Sequence, residues 1–332
     1  MKYIKNTTIL VTGADGFIGS HLVENLVKNN LKVRAFVYYN SWNNLGWLND
    51  LDQNILNEIE IFHGDIRDQT RVFEAVKGCE YIFHLSSLIG IPYSYIAPDS
   101  YIDTNVKGTL NILNACKKSD VFVKLMHTST SEVYGTAQKI PIDENHPLVG
   151  QSPYSASKIA ADKLVESYNL SFGLPVITAR PFNTYGPRQT ARAVIPTIIF
   201  QLLTNKKNIN LGSLAPTRDF NYVKDTIEAM ITLAFSKNLD GEVFNIGTGK
   251  ETSIYELVKI LMDITGNKVE IENDNKRHRP AKSEVQRLIA DTKKIEHATG
   301  WKPNFILKQG LNHTVNWAKE NLHLFDENQY FI

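Results

Sequence analysis

The sequence predicts an α/β fold, a doubly wound parallel sheet joined to a smaller C-terminal α/β lobe. Two observations predict it. Short apolar runs alternate with segments of helical period, and a glycine-spaced turn stands directly after the first run. In order, "TTILVTG" reads as a buried strand, Phe17 to Lys28 as a helix and "LKVRAFVYY" as a second strand. "EIEIFHGD", "EYIFHLSS" and "VFVKLMHTSTS" continue the series, with amphipathic segments between them. A long helical pattern from Tyr154 to Phe172 leads into a further strand, "LPVITARPFN". Strands spaced by helices imply right-handed crossovers and a sheet covered on both faces. Beyond "NTYGPRQ" the elements shorten and loops such as "NDNKRHRPAKSE" turn basic. The expected division is a first domain over 1–185 and a second lobe over 186–332. Segments near 218–248 ("FNYVKDTIEAMITLAF", "EVFNIGTG") return to the first.

Bulk properties narrow the function. The chain has 332 residues, 42% hydrophobic and 21% charged, with a formal net charge of +1. Neither sign dominates, which argues against a nucleic-acid or membrane-surface partner. No run approaches the ~20 apolar residues of a membrane helix, and "MKYIKNTTILVTG" lacks a signal-peptide core, so a soluble cytoplasmic protein is expected. The two cysteines, Cys79 and Cys116, have no metal or redox spacing and read as buried thiols in a reducing compartment. No His/Cys/Asp cluster has ligand spacing, so no metal is expected. His84 and His127, each at a strand end, read as core-packed.

"TGADGFIGSHL" places Gly13, Gly16 and Gly19 between the first strand and a helix opened by Phe17 and Ile18. Gly13 permits the tight turn, Gly16 lets backbone approach a pyrophosphate, and Gly19 allows close helix–strand packing. The helix N–H groups then meet the phosphate charge. This context defines a Rossmann-type site for NAD(P)+. The acidic residue that would hold the NAD ribose belongs near Tyr38, where none stands, and Arg34 lies inside the strand. That absence tilts the reading slightly to NADP. Asp65 and Ile66, after the third strand, fall near the adenine.

"SPYSASKIAADKL" carries Tyr154 and Lys158 one helical turn apart on one face. A free phenol, with a pKa near ~10, is a poor base at neutral pH. A neighbouring ammonium favours the phenolate, which can then take a proton from a sugar hydroxyl. With these residues placed, the chain resembles the extended short-chain dehydrogenase/reductase family over nearly its whole length. "TGADGFIGSHL", "GDIRD", "FHLSS", "NVKGTLNIL", "TSTSEVYG", "YSASK" and "RPFNTYGPRQ" stand in the expected order. "RDFNYVKD", "FNIGTG" and "DTKKIEHATGWKP" resemble its nucleotide-sugar branch. The resemblance implies that Thr130 bonds the sugar O4 and that Tyr154 is the base. Lys158 also holds the nicotinamide ribose, and Asn105 orients the active-site helix within the cofactor set. Leu85 and Ser86 join the cofactor side and Ser87 the substrate side. It also implies a homodimer through the Asn105-to-Lys118 and Tyr154-to-Phe172 helices.

Glu132 sharpens the reaction. A 4-epimerase needs only the Thr/Ser, Tyr and Lys, and generally carries a small or apolar residue there. A carboxylate can take the C5 proton, made acidic by a C4 ketone, and help the C6 hydroxyl leave as water. Dehydratases similar to the dTDP-glucose enzyme place Asp-Glu here, and Ser131 departs from that. Thr-Ser-Glu resembles GDP-mannose 4,6-dehydratases and also UDP-glucuronate decarboxylases. The latter usually show an Arg soon after the Tyr-x-x-x-Lys lysine, whereas Ile159 and Ala160 follow Lys158, which favours dehydration. "FVYYNSWNNLGWLND" with "RPFNTYGPRQTARAVIPTII" resembles bacterial 4,6-dehydratases of legionaminic-acid-type pathways, acting on GDP- or UDP-linked N-acetylglucosamine. For a nucleotide-diphosphate sugar, Arg218 and Arg279 match diphosphate-clamping positions and Asn183 a first-phosphate contact. Arg192 and Val194 lie by the nucleotide-side segment. The alternatives are a 4-epimerase, a UDP-glucuronate decarboxylase, or a cofactor-binding regulator without catalysis.

Overall fold

The structure, a computed structural model, describes residues 7–204, 207–277 and 279–324. The residues 1–6 read above for a leader lie outside the described residues, as do 205–206, 278 and 325–332. A seven-stranded parallel sheet forms the centre. Its first strands are β1 (Thr8–Thr12), β2 (Lys32–Tyr38) and β3 (Ile59–Gly64). They are followed by β4 (Tyr81–His84), β5 (Lys124–Thr128), β6 (Val176–Pro181) and β7 (Val243–Ile246). The spatial order is β7-β6-β5-β4-β1-β2-β3.

Side chains alternate between the two faces, as a pleated strand requires. Ile9, Val11, Ala35 and Phe83 enter one apolar cluster with Leu22 and Val23 of α1 (Phe17–Lys28) and Ile227 and Met230 of α5 (Val223–Phe235). Leu10, Phe36, Ile82 and Leu125 enter another. There they meet Val72 of α2 (Gln69–Val76), Ile112 of α3 (Gly108–Lys118) and Val165 of α4 (Pro153–Phe172). Both faces are covered, which is why the strands read as almost unbroken apolar runs. α4 starts on a capping box between Ser152 and Ser155 with Pro153 at its first turn, and ends at Gly173 in a left-handed conformation.

After β3 the chain crosses back past β1 to form β4, so the sheet order reverses between β1 and β4. Turns leaving neighbouring strands in opposite directions open a crevice at their carboxyl ends. Beside that crevice lie the parallel pair Asn208–Leu211 with Glu270–Asn273 and the short sheet of Thr217–Arg218, Thr252–Ser253 and Arg287–Leu288. β7 pairs with β6, and α5 packs under the main sheet, so both belong to the first layer system although they follow residue 186 in sequence. Among the described residues no helix is long and apolar enough to cross a membrane. Cys79 and Cys116 are buried, and burial pushes the Cys79 thiol up to about 11.

Candidate active site

A cavity of about 1500 Å³ opens in the crevice. The glycine turn forms one wall. Gly13 has φ +68, and a Cβ there would lie 2.9 Å from the Ser86 amide nitrogen, so the turn fits against the β4 exit only without a side chain. Gly16 is exposed, and α1 begins there with no side-chain cap and no acidic residue in its first turn. Free N–H groups at an uncapped helix start, beside bare backbone, suit a pyrophosphate. Phe17, Ile18, Gly19, Tyr38, Asp65, Ile66, Leu85, Ser86 and Ser87 line the same cavity. These residues fit a dinucleotide.

The opposite wall comes from β5 and α4. Leaving β5, the chain turns at Thr130, whose Oγ1 accepts a hydrogen bond from the Glu132 amide at 3.2 Å and caps the short turn Ser131–Tyr134. Thr130, Ser131, Glu132, Tyr154 and Lys158 all face the cavity. Ser131 is 2% exposed. Burial raises the Tyr154 phenol well above its ordinary range, a hydrogen bond with Thr130 opposes that rise, and the Glu132 carboxylate adds to it. Lys158 Nζ donates to the Thr128 carbonyl at 2.7 Å. Burial lowers its ammonium to about 8, with Asp162 resisting. The sequence argument made Lys158 the group that stabilises phenolate. In the structure Nζ is bonded to the β5 carbonyl, and Thr130 opposes the rise of the Tyr154 phenol.

Asp162 stands one turn beyond Lys158 inside a buried network. It accepts from Arg180 Nη2 at 3.0 Å and pairs with His127 Nε2 at 3.2 Å, while Arg180 Nη1 donates to the Tyr134 hydroxyl at 3.0 Å. His84 bonds Thr12 and Thr109. Both histidines are therefore packed under the site. If catalysis needs charged Lys158, kcat/KM falls as pH rises through about 8, since the cation is lost above its pKa. Asp162→Asn removes a support of that cation, so the falling limb should move to lower pH. An unmoved limb in the Asn variant would exclude this coupling.

The third wall carries the positive charge. Arg218 is 6% exposed and donates to Glu284 Oε1 at 3.4 Å. Arg279 Nη1 lies 3.8 Å from the same oxygen and is buried without a hydrogen-bond partner. Asn183 Oδ1 is also buried without a partner. The unpartnered Arg279 nitrogen, a donor, suits an anionic ligand such as a diphosphate, whereas the Asn183 oxygen, an acceptor, calls for a donor such as a sugar hydroxyl. Val194 lines the cavity with them. Arg192 also lines it, but acts on the Tyr101 phenol, whose ring meets Tyr154 edge-on at 6.2 Å. Its neighbourhood is thus the Tyr154 end and not only the nucleotide side.

Asn105 does not line the cavity. It is 1% exposed, accepts from the Leu88 amide at 2.8 Å and donates to Ser157 Oγ at 2.9 Å. Its amide is consumed in tying the loop after β4 to α4, so it positions the wall instead of touching a cofactor. Sequence reasoning left Asp15, Asp162 and Glu284 without roles. The i, i+4 spacing of Lys158 and Asp162 was a usable signal, whereas Glu284 meets its arginines only through folding. Among the described residues no cluster of His, Cys, Asp or Glu could hold a metal.

This crevice, with a dinucleotide-type glycine turn, a Thr–Tyr–Lys set and buried arginines, defines the nucleotide-sugar epimerase/dehydratase class. Residues 10–314 match the family described as GDP-mannose 4,6 dehydratase, and the chain belongs to it. It is 37% identical to a Methanocaldococcus jannaschii protein provisionally described as a UDP-glucose 4-epimerase, covering 94% of this chain and 99% of that protein. Human dTDP-D-glucose 4,6-dehydratase is 34% identical over 95% of this chain and 91% of its own length. Among solved structures, Streptomyces venezuelae dTDP-glucose 4,6-dehydratase, with NAD bound, matches at a TM-score of 0.84 and 29% identity. The match covers 96% of this chain and 99% of that one.

Proposed function

We propose that the protein is a nucleotide-sugar 4,6-dehydratase with tightly held NAD(P)+, converting GDP- or UDP-N-acetylglucosamine to the 4-keto-6-deoxy sugar nucleotide. The observation that carries this reading is Glu132, a carboxylate facing the cavity that also holds Thr130 and Tyr154. A nicotinamide dinucleotide held against the glycine turn would supply reversible hydride transfer at C4 and C6. Tyr154 removes the O4 proton as C4–H leaves as hydride, and Thr130 holds O4. The C4 ketone then acidifies C5–H. Glu132 takes that proton and hands it to the departing C6 hydroxyl, so water is lost and a C5–C6 double bond forms. When hydride reaches C6, Glu132, reprotonated from solvent after the water has left, is placed to protonate C5. Arg218 and Arg279 hold the diphosphate, and closing the cavity around it keeps bulk water from the ketone.

Incubating the protein with GDP-, UDP-, dTDP- and CDP-sugars should give, for one of them, a product lighter by one water. In D2O that product gains one deuterium at C5, since hydride returns to C6 and the C5 proton comes from solvent. A product of unchanged mass inverted at C4 would replace this reading with the 4-epimerase, which the Methanocaldococcus relative favours. Loss of carbon dioxide from UDP-glucuronate would replace it with the decarboxylase. Pairing through the Asn105-to-Lys118 and Tyr154-to-Phe172 helices is proposed as well: Leu170 and Phe172 stand exposed on the second, and light scattering should report a dimer.

A further inference from the structure

We propose that Asp15, from the glycine turn, takes the part of the ribose-binding carboxylate and selects NAD over NADP. This rests on the dinucleotide reading above and reverses the sequence-based lean. The reversal comes from position. β2 ends at Tyr38 with no acidic side chain of its own, yet the Tyr38 amide donates to Asp15 Oδ2 at 3.4 Å. A carboxylate therefore stands at the tip of β2, where a dinucleotide site needs one to accept from the ribose hydroxyls. It reaches that place from β1's turn, which is why the β2 sequence does not show it. The turn is held there: the Trp47 amide donates to the Asp15 carbonyl at 3.0 Å, and a Cβ on Gly46 would lie 2.5 Å from that oxygen. Asp15, Gly46 and Trp47 all line the cavity.

The remaining charge at this end points the same way. Asp65 lines it too, paired with the guanidinium of Arg67. Arg67 Nε lies 3.0 Å from both Asp65 oxygens and Nη2 2.5 Å from one, so that cation is already matched. Arg34 is turned to Glu60 at 2.8 Å and to the carbonyls of Ala75 and Lys77. Lys107 acts on Asp65 but is not part of the cavity lining. Two carboxylates, Asp15 and Asp65, beside a guanidinium that is already paired suit two neutral hydroxyls and disfavour a 2′-phosphate.

The test reads binding and not turnover. Dinucleotide released by denaturing the purified protein is identified by mass spectrometry, and NADH and NADPH are titrated calorimetrically into dinucleotide-free protein. Released NAD and NADH binding tighter than NADPH by at least about tenfold are expected, the scale of one unfavourable like-charge contact. Asp15→Asn keeps an acceptor for the Tyr38 amide and removes the charge, so the gap should narrow about tenfold, mainly through tighter NADPH. Released NADP, equal affinities in the wild type, or an unchanged ratio in Asp15→Asn overturns the inference alone. Binding of neither dinucleotide removes the proposed function along with it.

Discussion

Glu132→Gln is expected to cut formation of the dehydrated product by about two to four orders of magnitude, the range of a lost general acid–base group. Gln is nearly isosteric and leaves Thr130, Tyr154 and Lys158 in place, so oxidation at C4 should continue. The C5 proton then has no acceptor and the C6 hydroxyl no donor. Reduced nicotinamide should therefore build up on the enzyme when substrate is added, as an absorbance that does not decay. The loss should fall on kcat, because Glu132 acts after the sugar is bound. Undiminished water loss in this variant would show that another group performs the elimination. Absence of the reduced-nicotinamide signal together with lost activity would place Glu132 in the redox step instead.

The second large effect comes from Gly19→Ala. A Cβ at Gly19 would lie 2.0 Å from the Gly13 carbonyl oxygen, 2.9 Å from its carbon and 3.0 Å from the Ala14 Cα. All three are backbone atoms of a turn already pressed against Ser86, so none can move aside as a flexible side chain would. Overpacking of this kind costs about 1–3 kcal/mol, with the upper end expected where only backbone can yield. Melting should drop by several degrees, on the order of 2–4 °C per kcal/mol for a chain this size, and dinucleotide retention should be lost outright. Gly16→Ala is the control. Its Cβ meets only the Gly13 carbonyl oxygen, at 3.3 Å, so that variant should fold normally and bind dinucleotide less tightly. Equal melting of Gly19→Ala and wild type would contradict this account of the turn.

Much of the architecture was legible in the chain because it depends on local pattern. The apolar runs that begin and end within β1 to β6 reflect burial on both faces, and the glycines of the first turn reflect a steric need a few residues wide. Tyr154 and Lys158 share a face by helical period alone. The long-range placements were harder. Strand Val243–Ile246 returns to the sheet across more than 60 residues from β6, and nothing in its own composition names its partner. Asn105 carries the right residue type for a site, yet its polar atoms are spent on Leu88 and Ser157, a fact of packing and not of spacing. Glu284, drawn to Arg218 and Arg279, gains meaning only from the charges folding sets beside it.

By itself the sequence determined the α/β class and the glycine turn, which rest on short-range period or spacing, and marked Thr130, Glu132, Tyr154 and Lys158, which fold onto one cavity. Tertiary structure decided what surrounds them. It turned Lys158 toward a strand carbonyl, buried Arg279 Nη1 without a hydrogen bond and brought the Asp15 carboxylate to the end of a strand that lacks one. The physical reason is that burial and electrostatic partnership depend on distance through space, and crossover connections bring together residues that no local pattern relates.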